Sequence, residues 1–165
     1  MDAIQKLVAI EAIKQLKARY HRAVDTKDWN LLASVLTEDA RSVYSDGLFS
    51  FAGRDEILEF HKGALETNDI VTMHHSHMPE IEITSETTAR GSWYLEDTVI
   101  NAGDANEYNP GRSVLIGTGI YADEYAKVDG EWLISVTGYK RIFEYREPMH
   151  AESSLKTRWS SRTPA

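Results

Sequence analysis

Leu7, Ile10, Ile13, Leu16, Tyr20 and Val24 recur at spacings of three and four, which places them on one face of a helix over about residues 3–26. Asp28 follows as a cap, and Trp29, Leu32, Val35 and Leu36 form the apolar face of a second helix that exits through Thr37, Glu38 and Asp39. Arg41 to Tyr44 and Leu48 to Phe51 flank an Asp46-Gly47 turn and read as a short hairpin. Gly53-Arg54-Asp55-Glu56 opens a third helix with Ile57, Leu58, Phe60, His61 and Leu65 inward. After Asn68 the period changes from helical to alternating. Segments 70–78, 80–86, 88–100, 113–127 and 132–145 are rich in Val, Ile, Thr, Tyr and Trp, and breaks are expected at Pro79, Ser85-Glu86, 101–111 and 128–131. Helices followed by consecutive antiparallel hairpins make an α+β domain, in which a curved sheet wraps the helices into a cone with a pocket at its open end. The last twenty residues hold Arg146, Lys156, Arg158 and Arg162 with little apolar content, and read as a frayed tail or an arm on a neighbouring subunit.

Within the strand 91–99, period two puts Trp93, Leu95, Asp97 and Val99 on one face and Tyr94, Glu96 and Thr98 on the other. Asp97 is then an acid among apolar neighbours and needs a partner: an Arg, a backbone amide or a histidine. His74 shares a face with Thr72 and Ser76, while His75 and His77 point the other way. A His74–Asp97 pair would build a general base. The histidine spacing matches no standard zinc motif and the cluster contains no acid, so no metal is expected. Tyr20 lies on the apolar stripe of the first helix. Asp25 stands at that helix's C-terminal end, where the dipole disfavours an acid. Thr137, Tyr139, Arg141 and Phe143 share a face, so Arg141 either snorkels or pairs with an acid inside the cone. Gly117-Thr118-Gly119 lies within an alternating strand, with no helix after it to make a phosphate loop, and reads as a site of sheet bending or close approach.

Composition narrows the functional classes. The 165 residues suffice for one domain, and 18 Lys and Arg against 26 Asp and Glu give a net charge of −8. That argues against nucleic-acid binding. The lack of any cysteine removes thiol catalysis, thiolate metal sites and disulfides. The charged opening segment lacks the apolar run of a signal peptide, and no stretch reaches the length of a membrane span, so a soluble, cytoplasmic protein is expected.

The segments 10–17 and 20–25, Tyr44-Ser45-Asp46-Gly47, Met73-His74 with 77–81, Trp93-Tyr94-Leu95-Glu96-Asp97 and Thr137 to Ile142 together resemble the scytalone dehydratase-like group of the NTF2-like and SnoaL-like superfamily. Within that group they are most similar to the bacterial bile-acid 7α-dehydratases. The resemblance spans about residues 10–146 and implies one NTF2-like cone over 1–146, with 147–165 as a tail. It also implies a homotrimer and chemistry without a metal or organic cofactor. By the same resemblance Tyr20, Asp25, His74 and Asp97 are catalytic, and Arg141 and Tyr44 shape the pocket. The implied reaction is loss of water from a small hydrophobic hydroxylated enone-type carbocycle such as a steroid, free or as a coenzyme A thioester. His74 acts as base held by Asp97, Tyr20 as hydrogen-bond donor, and Asp25 orients Tyr20 or a water or protonates the leaving group. The net negative charge offers no steering for a coenzyme A tail. The same scaffold also serves isomerases, polyketide cyclases and non-catalytic subunits or ligand-binding modules. The loop 101–112 is longer and more polar than in the bile-acid enzymes, and loops of this kind cover the pocket mouth.

Overall fold

The computed structural model describes residues 1–159. Helix α1 (Ala3–Thr26) starts with an Asp2–Gln5 capping box and ends at Lys27 in the left-handed conformation. It is followed by α2 (Trp29–Ser34), β1 (Leu36–Tyr44), β2 (Phe49–Ala52) and α3 (Arg54–Leu65). Four long strands complete the fold: β3 (Ile70–Ile83), β4 (Thr88–Asn101), β5 (Ser113–Val128) and β6 (Glu131–Pro148). They form one six-stranded sheet in the order β2-β1-β6-β5-β4-β3. All pairings are antiparallel except β1 with β6. The α+β class and the curved sheet around N-terminal helices agree with the sequence reading. Ile13, Leu16, Tyr20 and Val24 of α1 are buried with Leu36, Leu95, Tyr125 and Ile134 of the sheet. Leu7, expected on that stripe, is exposed with Ile4 and Val8, because the first turns of α1 run beyond the core.

Three local readings change. The second helix stops at Ser34, and Leu36 to Asp39 are already strand, where Leu36 pairs with Ile134 of β6. Pro79 does not break β3. The strand absorbs one extra residue between His77 and Glu80 as a bulge, with Met78 at φ 44°, and then continues to Ile83. A second bulge lies in β6, where Gly119 pairs with Arg141 but Thr118 pairs with Phe143. The added residue, Ile142, reverses the alternation, so Phe143 is exposed on the outer face and Glu144 takes the inward place expected for it.

Gly138 marks the tightest backbone approach. A Cβ there would lie 2.1 Å from the Val43 carbonyl oxygen of β1, so only glycine allows the parallel β1–β6 contact. The tail through residue 159 lies against its own chain. Arg112 donates to the carbonyls of His150 and Ser153, and Lys27 Nζ sits 4.5 Å from the centre of the Trp159 ring. The remaining six positions of the tail, Arg162 among them, lie outside the described residues. Among the described residues no helix is long and apolar enough to cross a membrane.

Candidate active site

The open end of the cone holds a cavity of ≈ 130 Å³. All six site residues read from the sequence line it except Asp25, which reaches it through His74. Asp25 closes the last turn of α1 and faces β3. Its carboxylate accepts from Thr72 Oγ1 at 2.7 Å, from the backbone N–H of His74 at 3.0 Å, and from His74 Nδ1 at 2.6 Å. These donors compensate an acid that the helix dipole disfavours. A carboxylate only accepts, so Nδ1 carries a proton, and in the neutral ring the lone pair is on Nε2. The structure thus fixes the ring so that its neutral form is the tautomer a general base requires.

The expected His74–Asp97 pair does not form. The two residues are direct cross-strand partners, but Asp97 accepts two parallel bonds from Arg141, Nη1 at 2.5 Å and Nη2 at 2.9 Å. A forked guanidinium satisfies both carboxylate oxygens, which one imidazole nitrogen cannot do. Of the alternatives open for Arg141, pairing with an acid is the one realised. Burial works against its charge, but the bonds from Asp97 and the Tyr139 ring 4.7 Å away hold the guanidinium above its ordinary range. Gly117 makes room for the pair, since a Cβ there would lie 2.3 Å from Arg141 Nη1 and 2.8 Å from Asp97 Oδ1.

Tyr20 and Tyr44 join hydroxyl to hydroxyl at 2.8 Å, so Asp25 orients His74 and not Tyr20. Both phenols are buried, which pushes their acidity far from neutrality and keeps them protonated as donors. Tyr44 stacks on Phe60 at 5.6 Å, and Phe60 packs against Phe49, Phe51 and Tyr108. Tyr108 belongs to the loop after β4. Asn106 and Asn109 of that loop donate to the Ala64 carbonyl at the end of α3, holding Tyr108 in the cavity wall. The loop expected at the pocket mouth therefore contributes to the lining.

The sequence profile of the SnoaL-like domain matches residues 5–137. The chain belongs to the SnoaL-like domain family. Its fold is similar to that of a candidate scytalone dehydratase from Novosphingobium aromaticivorans, at 22% identity and TM-score 0.72 over 93% of this chain and 100% of that one. It is also similar to the hexachlorocyclohexane dehydrochlorinase LinA-type3 from Novosphingobium barchaimii, at 18% identity and TM-score 0.74 over 94% of this chain and 100% of that one. At such identities the likeness concerns the fold, which is NTF2-like.

Two features of this SnoaL-like domain escaped the sequence reading. His21, one residue after Tyr20, stacks on the His74 ring at 5.7 Å and 7° and bonds Ser76 Oγ at 2.6 Å. Burial, with Lys17 nearby, holds His21 well below the ordinary histidine range, so it stays neutral beside the base. Deeper in the cone, Lys17 Nζ pairs with Asp123 at 2.7 Å, and both side chains are fully buried. Asp123 also accepts from Tyr125 at 2.9 Å and Thr137 at 2.8 Å, while Trp93 donates to the Tyr125 hydroxyl. A lysine inside an apolar helical stripe was the available signal: Lys17 follows Leu16 directly and lies four residues from Ile13.

Proposed function

We propose that this SnoaL-like domain is a lyase that works through its own side chains, removing a proton next to a carbonyl and expelling water from a compact hydroxylated carbocycle. The observation that carries this reading is the Asp25–His74 dyad, with Nδ1 fixed at 2.6 Å, beside a cavity lined by aromatic rings and two paired phenols. In the reaction, His74 Nε2 takes the proton from the carbon α to the carbonyl. Asp25 stabilises the imidazolium formed. Tyr20, polarised by Tyr44, donates to the carbonyl oxygen as it gains enolate character. The electron pair of the broken C–H bond becomes the new C=C, the β C–O bond breaks, and the imidazolium returns its proton to the departing hydroxyl. Water leaves and His74 is neutral again. Asp97 serves here as the positioning partner of Arg141, which walls the cavity.

Size bears on the substrate. A cavity of ≈ 130 Å³ is below the ~300–1,000 Å³ of pockets that enclose drug-sized ligands, which favours one or two fused rings. A steroid, the substrate expected from the bile-acid resemblance, would extend through the mouth. The structural neighbours named for dehydration and dehydrochlorination fit the elimination class. The family resemblance read from the sequence further implies a homotrimer, which light scattering on the purified chain would check.

The test is an ultraviolet assay with two hydroxyketones: 3-hydroxy-1-tetralone, whose hydroxyl is β to the carbonyl, and a 7α-hydroxy-3-oxo-4-ene steroid. In the steroid the conjugated C=C extends the same activation to the C6 proton beside the leaving hydroxyl. Wild type is expected to convert the bicyclic ketone to the naphthol, and His74→Ala to lose at least ~10² in rate. Conversion of neither by wild type, or equal rates from a folded His74→Ala variant, would overturn the reading.

A further inference from the structure

The outer face of the sheet carries a group of side chains that the proposed reaction does not use. The alternation that turns His74 inward turns His75 and His77 outward, with ring centres 5.6 Å apart. In sequence they have no acid beside them, but the β3–β4 register sets Glu96 directly across from His75. Glu96 Oε2 then lies 3.6 Å from His77 Nε2. One donor atom from each of the three residues falls within 4.8 Å of the others.

We propose that His75, His77 and Glu96 bind a divalent cation of the zinc class on the face of the sheet opposite the cavity. Two imidazoles and one carboxylate suit zinc, nickel or copper, whereas magnesium and calcium prefer oxygen donors alone. Zinc takes such ligands at ~2.0–2.2 Å, which sets neighbouring donors in a tetrahedron at about 3.5 Å from one another. The His77–Glu96 separation of 3.6 Å is already close to that spacing. His75 needs only a side-chain rotation, which its exposed position permits. Two ligands two residues apart on one strand, with the third on the paired strand, are set on one face by the β3–β4 register. Three protein donors leave a further position for water or for a group from another molecule. A simple surface ion pair between His77 and Glu96 would contribute little and would give His75 no part.

The experiment uses the full chain without an affinity tag. Binding of Co²⁺ is followed by visible absorption, its displacement by Zn²⁺ confirms a shared site, and calorimetry gives the stoichiometry. One equivalent is expected to bind, and excess Zn²⁺ should raise the melting temperature. Each of His77→Ala and Glu96→Gln should weaken binding at least tenfold, and the double variant His75→Gln/His77→Gln should abolish it. His74→Ala and His150→Ala should leave it unchanged. These outer-face residues are exposed, and circular dichroism verifies that the variants are folded. Absence of saturable binding to wild type would overturn the proposal. So would full binding by the folded double variant, or loss of binding in His74→Ala with retention in the double variant.

Discussion

Asp25 and Asp97 differ in the donor each one holds, and that difference separates their variants. Asp25 fixes the tautomer of His74 through a 2.6 Å bond, so Asp25→Asn should lower turnover by ~10²–10⁴-fold while the fold persists. Asp97 and Arg141 form a largely buried pair. Asp97→Asn should therefore lower stability by about 1–3 kcal/mol, since it removes the forked partner and leaves the guanidinium its ion pair with Glu144 at 3.5 Å. Steady-state rates and urea midpoints on the two variants distinguish the roles. At this scale the sequence was informative about residue identity. Period two put His74 and Asp97 on cavity faces, and the helix dipole singled out Asp25. It did not reveal who pairs with whom, because the partners come from different elements: Asp25 from α1 with His74 from β3, and Arg141 from β6 with Asp97 from β4.

Among the elements, single inserted residues set what faces inward. The β6 bulge replaces Phe143 by Glu144 in the inward row, and the β3 bulge lets the strand continue past Pro79. Neither shows in a hydrophobic pattern, because a bulge is decided by the register of the neighbouring strand. The buried pair Lys17–Asp123 ties α1 to β5 and, through Thr137, to β6. Lys17→Met should cost about 3–5 kcal/mol, because it removes one partner of a fully buried ion pair. The double variant Lys17→Met/Asp123→Leu should recover part of that loss, read as the urea midpoint. Gly117→Ala is expected to force Arg141 off Asp97, since its Cβ would sit 2.3 Å from Nη1. A lowered melting temperature checks it.

For the whole molecule, burial of neutral histidines in the cone links stability to pH. Burial lowers His61 to about 4, against the opposing pull of its bond to the Ile57 carbonyl. The unfolded chain titrates near ~6.5 and so binds more protons than the folded chain between these values. Stability is therefore full above ~6.5 and falls as the solution is acidified toward 4. The loss from His61 is about 3 kcal/mol across that window. Denaturant midpoints at several pH values measure it, and His61→Gln should flatten the slope. The α+β architecture itself was legible in the sequence, because helical and alternating periods occupy separate stretches of the chain. The parallel closure of β1 on β6 was not, because pairing between the first and last strands leaves no local trace. The most direct test of the account is proton abstraction measured apart from the leaving group. 1-Tetralone deuterated at C2 is incubated with wild type and Asp25→Asn, and loss of deuterium to solvent is followed by NMR. Exchange catalysed by wild type and reduced at least ~10²-fold in Asp25→Asn is the predicted result; equal exchange by the two proteins, or none by wild type, would contradict it.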